Sequence, residues 1–308
     1  MRLITMLALL LVCAYAGAAP ITLNSANQGG DSLFNGLLLE GAANPTVGVV
    51  LLHGRCAAAN GPVVEELRNS LNRAGYTTLS IDTPLPQNGL CDFQSYINDV
   101  AGNNYVFPEL YARIRESIDH LQTLGIQEVV IVGFSLGSRF GSAHIARGQL
   151  MELPIIGLVG VGMYATSNVD PLDISLTIDE VTIPVLDLYG DEDLNAANTQ
   201  ALRQAAYLSS GMGTVYTQVV LDCGANLTTA ECHQLSGLKG SDNQPLEYVV
   251  NTWMDCFAPL DGTPVCSAIQ VNPPSTTENS GGGTGAINLM TLIMGLLLLF
   301  GSYARKRL

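Results

Sequence analysis

The sequence predicts an α/β fold with a mostly parallel central sheet and helices on both faces. Short runs rich in aliphatic and β-branched residues at 47–52, 77–81 and 128–132 alternate with segments whose apolar residues recur at helical spacing. The third run continues into a glycine–serine–glycine turn and then into a helical pattern. Parallel strands joined by helical crossovers place helices on both faces of a sheet. The interval 19–280 is long enough for one large domain of this kind.

The predicted strands and helices follow one another along the chain. Short aliphatic runs predict strands at Val47–Leu52, Thr77–Ile81, Glu128–Val132, Ile155–Met163, Val181–Tyr189 and Thr214–Leu221. Apolar residues three and four apart predict helices at Tyr111–Leu124, Ser138–Arg147, Ala196–Leu208 and Leu246–Cys256. Only residues 165–181 separate two of the late strands. This interval is too short for a large helical lid, so we expect an open site.

The charge balance excludes a generic nucleic-acid-binding protein. The 308 residues include 13 Lys and Arg against 27 Asp and Glu, which gives a formal net charge of −14. Nucleic-acid backbones are bound through Lys and Arg, so a chain this acidic lacks the required surface. Its apolar content of 47% also excludes disorder over most of the length.

Residues 1–18 have the pattern of a secretory signal peptide. Arg2 precedes an apolar run at 3–12, and small residues follow at 14–19. The apolar run is short for a membrane-spanning helix. A lipoprotein site at Cys13 is disfavoured, because Val12 stands where a small residue is needed. The sequence therefore predicts export, with the folded domain at 19–270.

Two further segments follow the predicted domain. Residues 271–285 form a linker rich in Pro, Ser, Thr and Gly, which cannot pack a core. Within 286–308, the uncharged run Ile287–Tyr303 is just long enough to span a bilayer and is followed by the basic cluster 305–307. The positive-inside rule keeps that cluster in the cytoplasm. We therefore expect the domain to face outward, tethered by its C-terminus.

The C-terminal tail resembles the GlyGly-CTERM sorting tails of certain Gram-negative bacteria. A Ser/Gly-rich stretch, a short span and a basic end follow one another over Asn279–Leu308. The resemblance implies that a rhomboid-like protease cuts the tail as the protein moves to the cell surface. A permanent anchor is the alternative. Both interpretations imply a periplasmic or cell-surface protein that is membrane-tethered at least transiently.

Cysteine usage agrees with export. Six cysteines remain once Cys13 is removed with the signal peptide, and an even number in an exported chain indicates disulfides. Sequence proximity favours Cys223–Cys232 and Cys256–Cys266, which leaves Cys56–Cys91, although other pairings stay open. No C-x-x-C pair or His/Cys cluster has zinc-site spacing, so we expect neither a metal nor an organic cofactor.

The clearest chemical motif is the sequence Gly133-Phe134-Ser135-Leu136-Gly137. A β-rich run precedes it and a helix-compatible run follows, as in a nucleophile elbow. So tight a turn leaves no room for side chains two residues before and after the serine, and glycine stands at both positions. Ser135 is therefore the candidate nucleophile, beside a helix N-terminus that favours negative charge. A purely structural glycine-rich turn is the alternative.

A serine hydroxyl needs a neighbouring base to become a good nucleophile. His233 follows the last predicted strand, and a loop at that position can reach the C-terminal edge of the sheet. His53 lies in a turn too early in the chain to be the base, and we expect His120 at the surface of a helix. His144 is on the helix after the motif, where we expect a structural role.

These motifs occur in the order found in the α/β-hydrolase superfamily, which the chain resembles over roughly residues 30–260. Leu52-His53-Gly54 comes first, then the serine motif, then Gly190-Asp191-Glu192-Asp193, and His233 comes last. The resemblance implies an α/β-hydrolase fold in which His233 is the general base. It also implies that Asp193, three residues after the strand-ending glycine, orients His233, with Asp191 as the alternative.

The same resemblance implies an oxyanion hole and a reaction. The backbone N–H groups of Arg55 and Leu136 are the expected donors to the developing oxyanion. We expect an exported serine hydrolase, most simply a carboxylesterase, that acts on a small-molecule or lipid-like ester without a cofactor. A peptidase, lipase or acyltransferase on the same fold is an alternative. So is an inactive surface protein that binds a partner. The sequence leaves the substrate and the oligomeric state open.

Overall fold

The computed structural model describes residues 17–266, except 43–44, 103, 149–153, 166–167, 210, 212–214, 225 and 241–244. The predicted linker at 271–285, the tail at 286–308 and all but the last two residues of the predicted signal peptide lie outside the described residues. Among the described residues, none of the helices combines the length and the apolar character needed to span a membrane.

One sheet of nine strands organises the described part of the chain, in the spatial order β1-β2-β4-β3-β5-β6-β7-β8-β9. The strands are β1 (Ala19–Asn24), β2 (Leu33–Leu39), β3 (Val47–Leu52), β4 (Thr77–Ile81), β5 (Glu128–Phe134), β6 (Ile155–Val161), β7 (Val185–Gly190), β8 (Tyr216–Asp222) and β9 (Lys239–Gly240). Strands β3 to β8 pair in parallel with one another. Strands β1, β2 and β9 add antiparallel edges. The predicted fold class is confirmed.

Seven α-helices cover the two faces of the sheet in the described residues. They are α1 (Pro62–Arg73), α2 (Phe93–Ala101), α3 (Val106–Thr123), α4 (Leu136–Ala143), α5 (Leu194–Ser209), α6 (Thr229–Gln234) and α7 (Leu246–Phe257). Alternate residues of β3 enter different cores, because successive side chains of a strand point to opposite faces. Val50 and Leu52 pack with α3 and α4, whereas Val49 and Leu51 pack with α1 and α7.

The sequence missed the edge hairpin and three of the helices. Strands β1 and β2 are only half covered, so they lack the continuous apolar runs of the central strands. Helices α1, α2 and α6 were also not predicted. The predicted strand at Val181 instead begins at Val185, after Pro184, which has no N–H to donate to a ladder. The helix predicted from Tyr111 begins earlier, at Val106.

The connection between β6 and β7 contains two short 3₁₀ helices, Ile174–Leu176 and Ile178–Glu180. No larger helix occurs in its described residues, in agreement with the expectation of no large lid.

Three disulfides join the described cysteines: the two pairs that sequence proximity favoured and the third pair that was left over. They are Cys56–Cys91, Cys223–Cys232 and Cys256–Cys266. The first ties the loop after β3 to the loop after β4, and the second lies in the loop that follows β8. Disulfides persist in oxidising compartments and stabilise a fold chiefly by restricting the unfolded chain.

His144, for which the sequence predicted a structural role, is a buried, uncharged histidine of the core. It begins the π-helical turn His144–Gly148 and packs against the ring of Tyr111. Neither ring nitrogen has a hydrogen-bond partner among the described residues. Burial, with a smaller contribution from the positive charge of Arg115, lowers the pKa of His144 from 6.5 to about 3.

We predict that His144 makes the protein less stable in acid. Below pH 6.5 His144 binds a proton in the unfolded chain but stays neutral in the folded state. The free energy of unfolding therefore falls as the pH drops from about 6.5 towards about 3. Between pH 7 and pH 4, the His144→Leu variant should lose about 3 kcal/mol less free energy of unfolding than the wild type. Urea titrations at several pH values measure this difference. The same dependence of the free energy of unfolding on pH in both proteins would contradict it.

Candidate active site

Ser135 occupies the turn between β5 and α4 in an unusual backbone conformation. Its φ of 54° and ψ of −114° lie in a region that residues other than glycine rarely adopt. Two hydrogen bonds hold this turn: Ser135 N–H donates to Val161 O at the end of β6, and Ser138 Oγ–H donates to Ser135 O. Because α4 begins at the next residue, the Ser135 hydroxyl lies beside a helix N-terminus, where negative charge is favoured.

The two glycines of the motif permit this turn because backbone segments touch there. A Cβ on Gly137 would lie 2.1 Å from the carbonyl oxygen of Leu52 in β3. A Cβ on Gly133 would lie 2.4 Å from Gly137 O and from Ser138 N. Backbone atoms in a packed core cannot move aside as the end of a flexible side chain can. The glycines therefore have the steric role that the motif predicted for them.

A row of hydrogen bonds joins Ser135, His233 and Asp193. His233 Nε2 lies 2.8 Å from Ser135 Oγ, and His233 Nδ1 lies 2.6 Å from Asp193 Oδ2. A carboxylate only accepts hydrogen bonds, so Nδ1–H donates to Asp193, which leaves Nε2 to accept from the serine hydroxyl. Asp193 is 0% exposed, whereas the His233 side chain is partly exposed. The structure thus brings together the serine, histidine and aspartate that the sequence singled out.

Asp193 reaches His233 because it caps helix α5. Its N–H donates to Gly190 O, and its carbonyl accepts from Ala197 N in the first turn of the helix. The alternative carboxylate, Asp191, is exposed and accepts from the backbone N–H of Cys223. The two aspartates therefore point in different directions from the same short turn, and only Asp193 lies on the histidine.

His233 lies at the end of α6, a six-residue helix that begins with a capping box formed by Thr228 and Glu231. Two aromatic rings flank its imidazole. The Phe134 ring centroid lies 5.4 Å away, and Tyr164 approaches edge-on at 5.8 Å. The sequence analysis did not identify either ring as part of the site. Phe134 could have been found, because it lies inside the serine motif.

The turn after β3 lies against Ser135 and contains both Arg55 and a structural histidine. A Cβ on Gly54 would lie 3.2 Å from Ser135 Cβ. His53 Nδ1–H donates to Gly54 O at 2.7 Å, and its Nε2 accepts from Thr83 N at 3.0 Å. Burial lowers the pKa of His53, which keeps the ring in the neutral form that this pattern requires.

This histidine determines the direction of the Arg55 N–H group. The Gly54 carbonyl and the Arg55 N–H belong to one trans peptide, so they point in opposite directions. Holding the carbonyl therefore also orients the N–H. In the described part of the chain, the N–H groups of Arg55 and Leu136 donate no hydrogen bond, so both are available to a ligand. The contact between His53 and the Gly54 carbonyl was not predicted from the sequence.

One group of possible metal ligands occurs among the described residues: Asp191, Cys223 and Cys232. The two cysteines are joined in a disulfide, so they offer no thiolate to a metal ion.

Comparisons with known proteins concern the fold. A family model described as the alpha/beta hydrolase fold matches residues 48–149. The structure is similar to that of a dienelactone hydrolase from Anabaena variabilis, with a TM-score of 0.54 and 15% identity over 77% of this chain and 96% of that one. It is also similar to a protein of unknown function from Agrobacterium tumefaciens, with a TM-score of 0.52 and 16% identity over 77% and 95% of the two chains. No curated protein sequence matches the chain.

We predict that the turn at Ser135 tolerates no side chain at Gly137. The Gly137→Ala substitution forces a Cβ against Leu52 O and should lower the free energy of unfolding by about 3 kcal/mol or more. Gly141→Ala in the same helix is the matched control, because the three atoms nearest its Cβ would all belong to side chains: Ile131 Cγ2 at 2.9 Å, Leu158 Cδ1 at 3.1 Å and Leu52 Cδ1 at 3.8 Å. This control should stay within about 1 kcal/mol of wild type. Chemical denaturation measures both, and equal losses would contradict the prediction.

Proposed function

From the α/β-hydrolase fold of this chain, we propose that it is a serine hydrolase that cleaves carboxylic esters. The observation that carries the proposal is the unbroken row of hydrogen bonds from Ser135 through His233 to Asp193. Each member stands next to the partner that its role requires: a nucleophile beside a base, and the base beside a buried carboxylate. The strained turn at Ser135 supports the same conclusion, because backbone strain of this kind occurs at functional sites.

The proposed first half-reaction forms an acyl-enzyme. Ser135 Oγ attacks the ester carbonyl carbon while His233 Nε2 takes the hydroxyl proton. The carbonyl oxygen becomes an oxyanion and accepts hydrogen bonds from the free N–H groups of Arg55 and Leu136. When the tetrahedral intermediate collapses, the C–O bond to the alcohol breaks and His233 gives its proton to the leaving alkoxide. An alcohol leaves, and the acyl group stays on Ser135.

The second half-reaction repeats these steps with water. His233 takes a proton from a water molecule, which attacks the acyl carbonyl carbon. Collapse breaks the bond to Ser135 Oγ, which recovers the proton, and the carboxylic acid leaves. In both halves the buried Asp193 carboxylate stabilises the imidazolium and keeps Nδ1 protonated. A partly exposed His233 is accessible to the water that this step consumes.

Two observations favour an ester over the other substrates of this chemistry. The described connection between β6 and β7 holds only short 3₁₀ turns, which suits a small substrate that enters an open site. The Anabaena variabilis protein of similar fold is called a dienelactone hydrolase, and a lactone is a cyclic ester. We therefore propose a small-molecule or lipid-like ester as the substrate.

We further propose that the enzyme is exported and tethered to a membrane by residues 286–308. Support comes from the three disulfides, which an oxidising compartment maintains. After fractionation of cells that express the full chain, the protein should be found in the membrane fraction, with its folded domain in the periplasm or at the cell surface. A chain truncated after residue 270 should appear in the soluble periplasmic fraction. A full-length protein with free thiols in the cytoplasm would contradict this proposal.

The Ser135→Ala variant tests the proposed activity directly. Without the hydroxyl no acyl-enzyme forms, so hydrolysis of short p-nitrophenyl esters should fall at least about 10⁴-fold. Labelling by a fluorophosphonate probe should disappear. Circular dichroism and thermal melting should match the wild type, because the substitution removes only the hydroxyl group and keeps the Cβ. Wild-type protein that resists the probe would instead favour an inactive binding protein.

A pair of aspartate variants tests which carboxylate orients His233. Asp193→Asn keeps the shape but removes the charge facing Nδ1, so kcat should fall about 10³- to 10⁴-fold. Asp191→Asn keeps a carbonyl oxygen for the Cys223 N–H and should lose less than about tenfold. Steady-state kinetics on one p-nitrophenyl ester compares them, and the reverse order of losses would assign the role to Asp191.

A further inference from the structure

The loop that carries His233 enters the protein core on both sides of the histidine: the disulfide-bonded Cys232 is buried directly before it, and Leu235 is buried two residues after it. We propose that Cys223–Cys232 is a positioning element of the active site, which holds His233 in register with Asp193. The disulfide would thus act on the chemical step in addition to stabilising the fold. This inference rests on the proposed function, because it assigns a role within that reaction.

On the histidine side, the anchor is the residue directly before the base. Cys232 is fully buried, whereas the described residues from Gly224 to Glu231 are exposed except for the half-buried Thr229. Helix α6 has only six residues, and a helix that short is not stable without support from its surroundings. The buried sulfur of Cys232 is therefore what attaches this exposed loop to the core immediately before His233.

On the aspartate side, the same disulfide packs against the turn that carries Asp193. A Cβ on Gly190 would lie 2.3 Å from Cys232 Sγ and 2.5 Å from Cys223 Sγ, so the sulfurs fill the space that glycine leaves. Gly190 O accepts the Asp193 N–H, and Asp191 Oδ1 accepts the Cys223 N–H at 3.0 Å. The disulfide thus contacts Gly190, at the start of the turn that carries Asp193, and one of its cysteines, Cys232, directly precedes His233 in the chain.

The nucleophile lies outside this arrangement. Ser135 is held by β5, β6 and α4, and none of its backbone contacts involves the loop 223–235. Loss of the disulfide should therefore leave the strained turn and the ester-binding surface in place and displace only the base from the acid. A displacement near 1 Å at a catalytic group costs about 10²-fold in rate. The expected signature is a lower kcat with little change in KM.

The chain contains a matched control for the experiment. The pairs Cys223–Cys232 and Cys256–Cys266 are 9 and 10 residues apart, so their removal frees loops of nearly equal size in the unfolded chain. The control disulfide lies at the other end of the sheet. Its loop contains Leu260, whose carbonyl accepts from Thr46 Oγ1 immediately before β3. The two double variants should therefore lose a similar entropic stabilisation, the first losing more in total because its sulfurs are buried, and only the first should lose rate.

The experiment that tests this inference measures kcat and KM on a p-nitrophenyl ester for two variants of the full chain. The variants are Cys223→Ala/Cys232→Ala and Cys256→Ala/Cys266→Ala. The first should lose about 10- to 100-fold in kcat, with KM within about threefold of wild type. The second should keep the wild-type kcat, and both melting temperatures should fall, that of the first variant by more because its sulfurs are buried. The rate of fluorophosphonate labelling should follow kcat, because it also requires an aligned base.

A second variant covers the case in which the first alanine pair fails to fold. Gly190→Ala keeps the disulfide but forces both sulfurs away from the turn, and it should also lower kcat about tenfold or more. Gly36→Ala in strand β2, which lies between β1 and β4, is its control, because its Cβ would crowd Leu79 Cδ1 at 2.9 Å, away from the site. That control should keep the wild-type kcat.

The outcomes separate this inference from the function on which it rests. An active wild type whose Cys223–Cys232 variant keeps its kcat would overturn the inference alone. Equal losses of kcat in the two cysteine variants would do the same, since they would reduce the effect to general stability. A wild type that neither hydrolyses esters nor reacts with the fluorophosphonate would overturn the proposed function and this inference with it.

Discussion

The close approach of backbone segments around Ser135 is the constraint on which the candidate site depends. Helix α4 leaves β5 so abruptly that Gly137 touches the Leu52 carbonyl of β3 and Gly133 touches the first turn of the helix. The serine between them adopts a strained conformation that lifts its hydroxyl out of the sheet. The parallel ladders of β5 with β3 and β6 hold this turn on both sides, so the strain is maintained by the most buried part of the fold.

A parallel sheet brings distant loops to one edge, and every element of the candidate site follows a strand at that edge. Arg55 follows β3, Ser135 follows β5, Asp193 follows β7 and His233 follows β8. Because these strands run in the same direction, their carboxyl ends meet, which explains how residues 98 positions apart can share a hydrogen bond. Around this candidate site lie the buried His53, the rings of Phe134 and Tyr164 and the Cys223–Cys232 disulfide.

The accuracy of the sequence-based expectations followed the degree of burial. The strands Val47–Leu52 and Thr77–Ile81 were predicted to the residue, because a strand buried on both faces is a run without charged residues that has sharp ends. The hairpin formed by β1 and β2 was missed, since edge strands mix exposed and buried positions and carry polar residues. Helix α6 was missed for a related reason: it is short and exposed, and the buried Cys232 is its main link to the core.

The sequence by itself determined the parallel core and the turn at Ser135, because both depend on local pattern: apolar runs, and glycine where a Cβ has no room. Only the tertiary structure decided which carboxylate lies on His233. Asp191 and Asp193 are two residues apart in one acidic turn, and no local property separates them. Their directions are set by helix α5, which Asp193 caps, and by the Cys223 N–H, which engages Asp191. Those contacts exist only once distant segments have packed together.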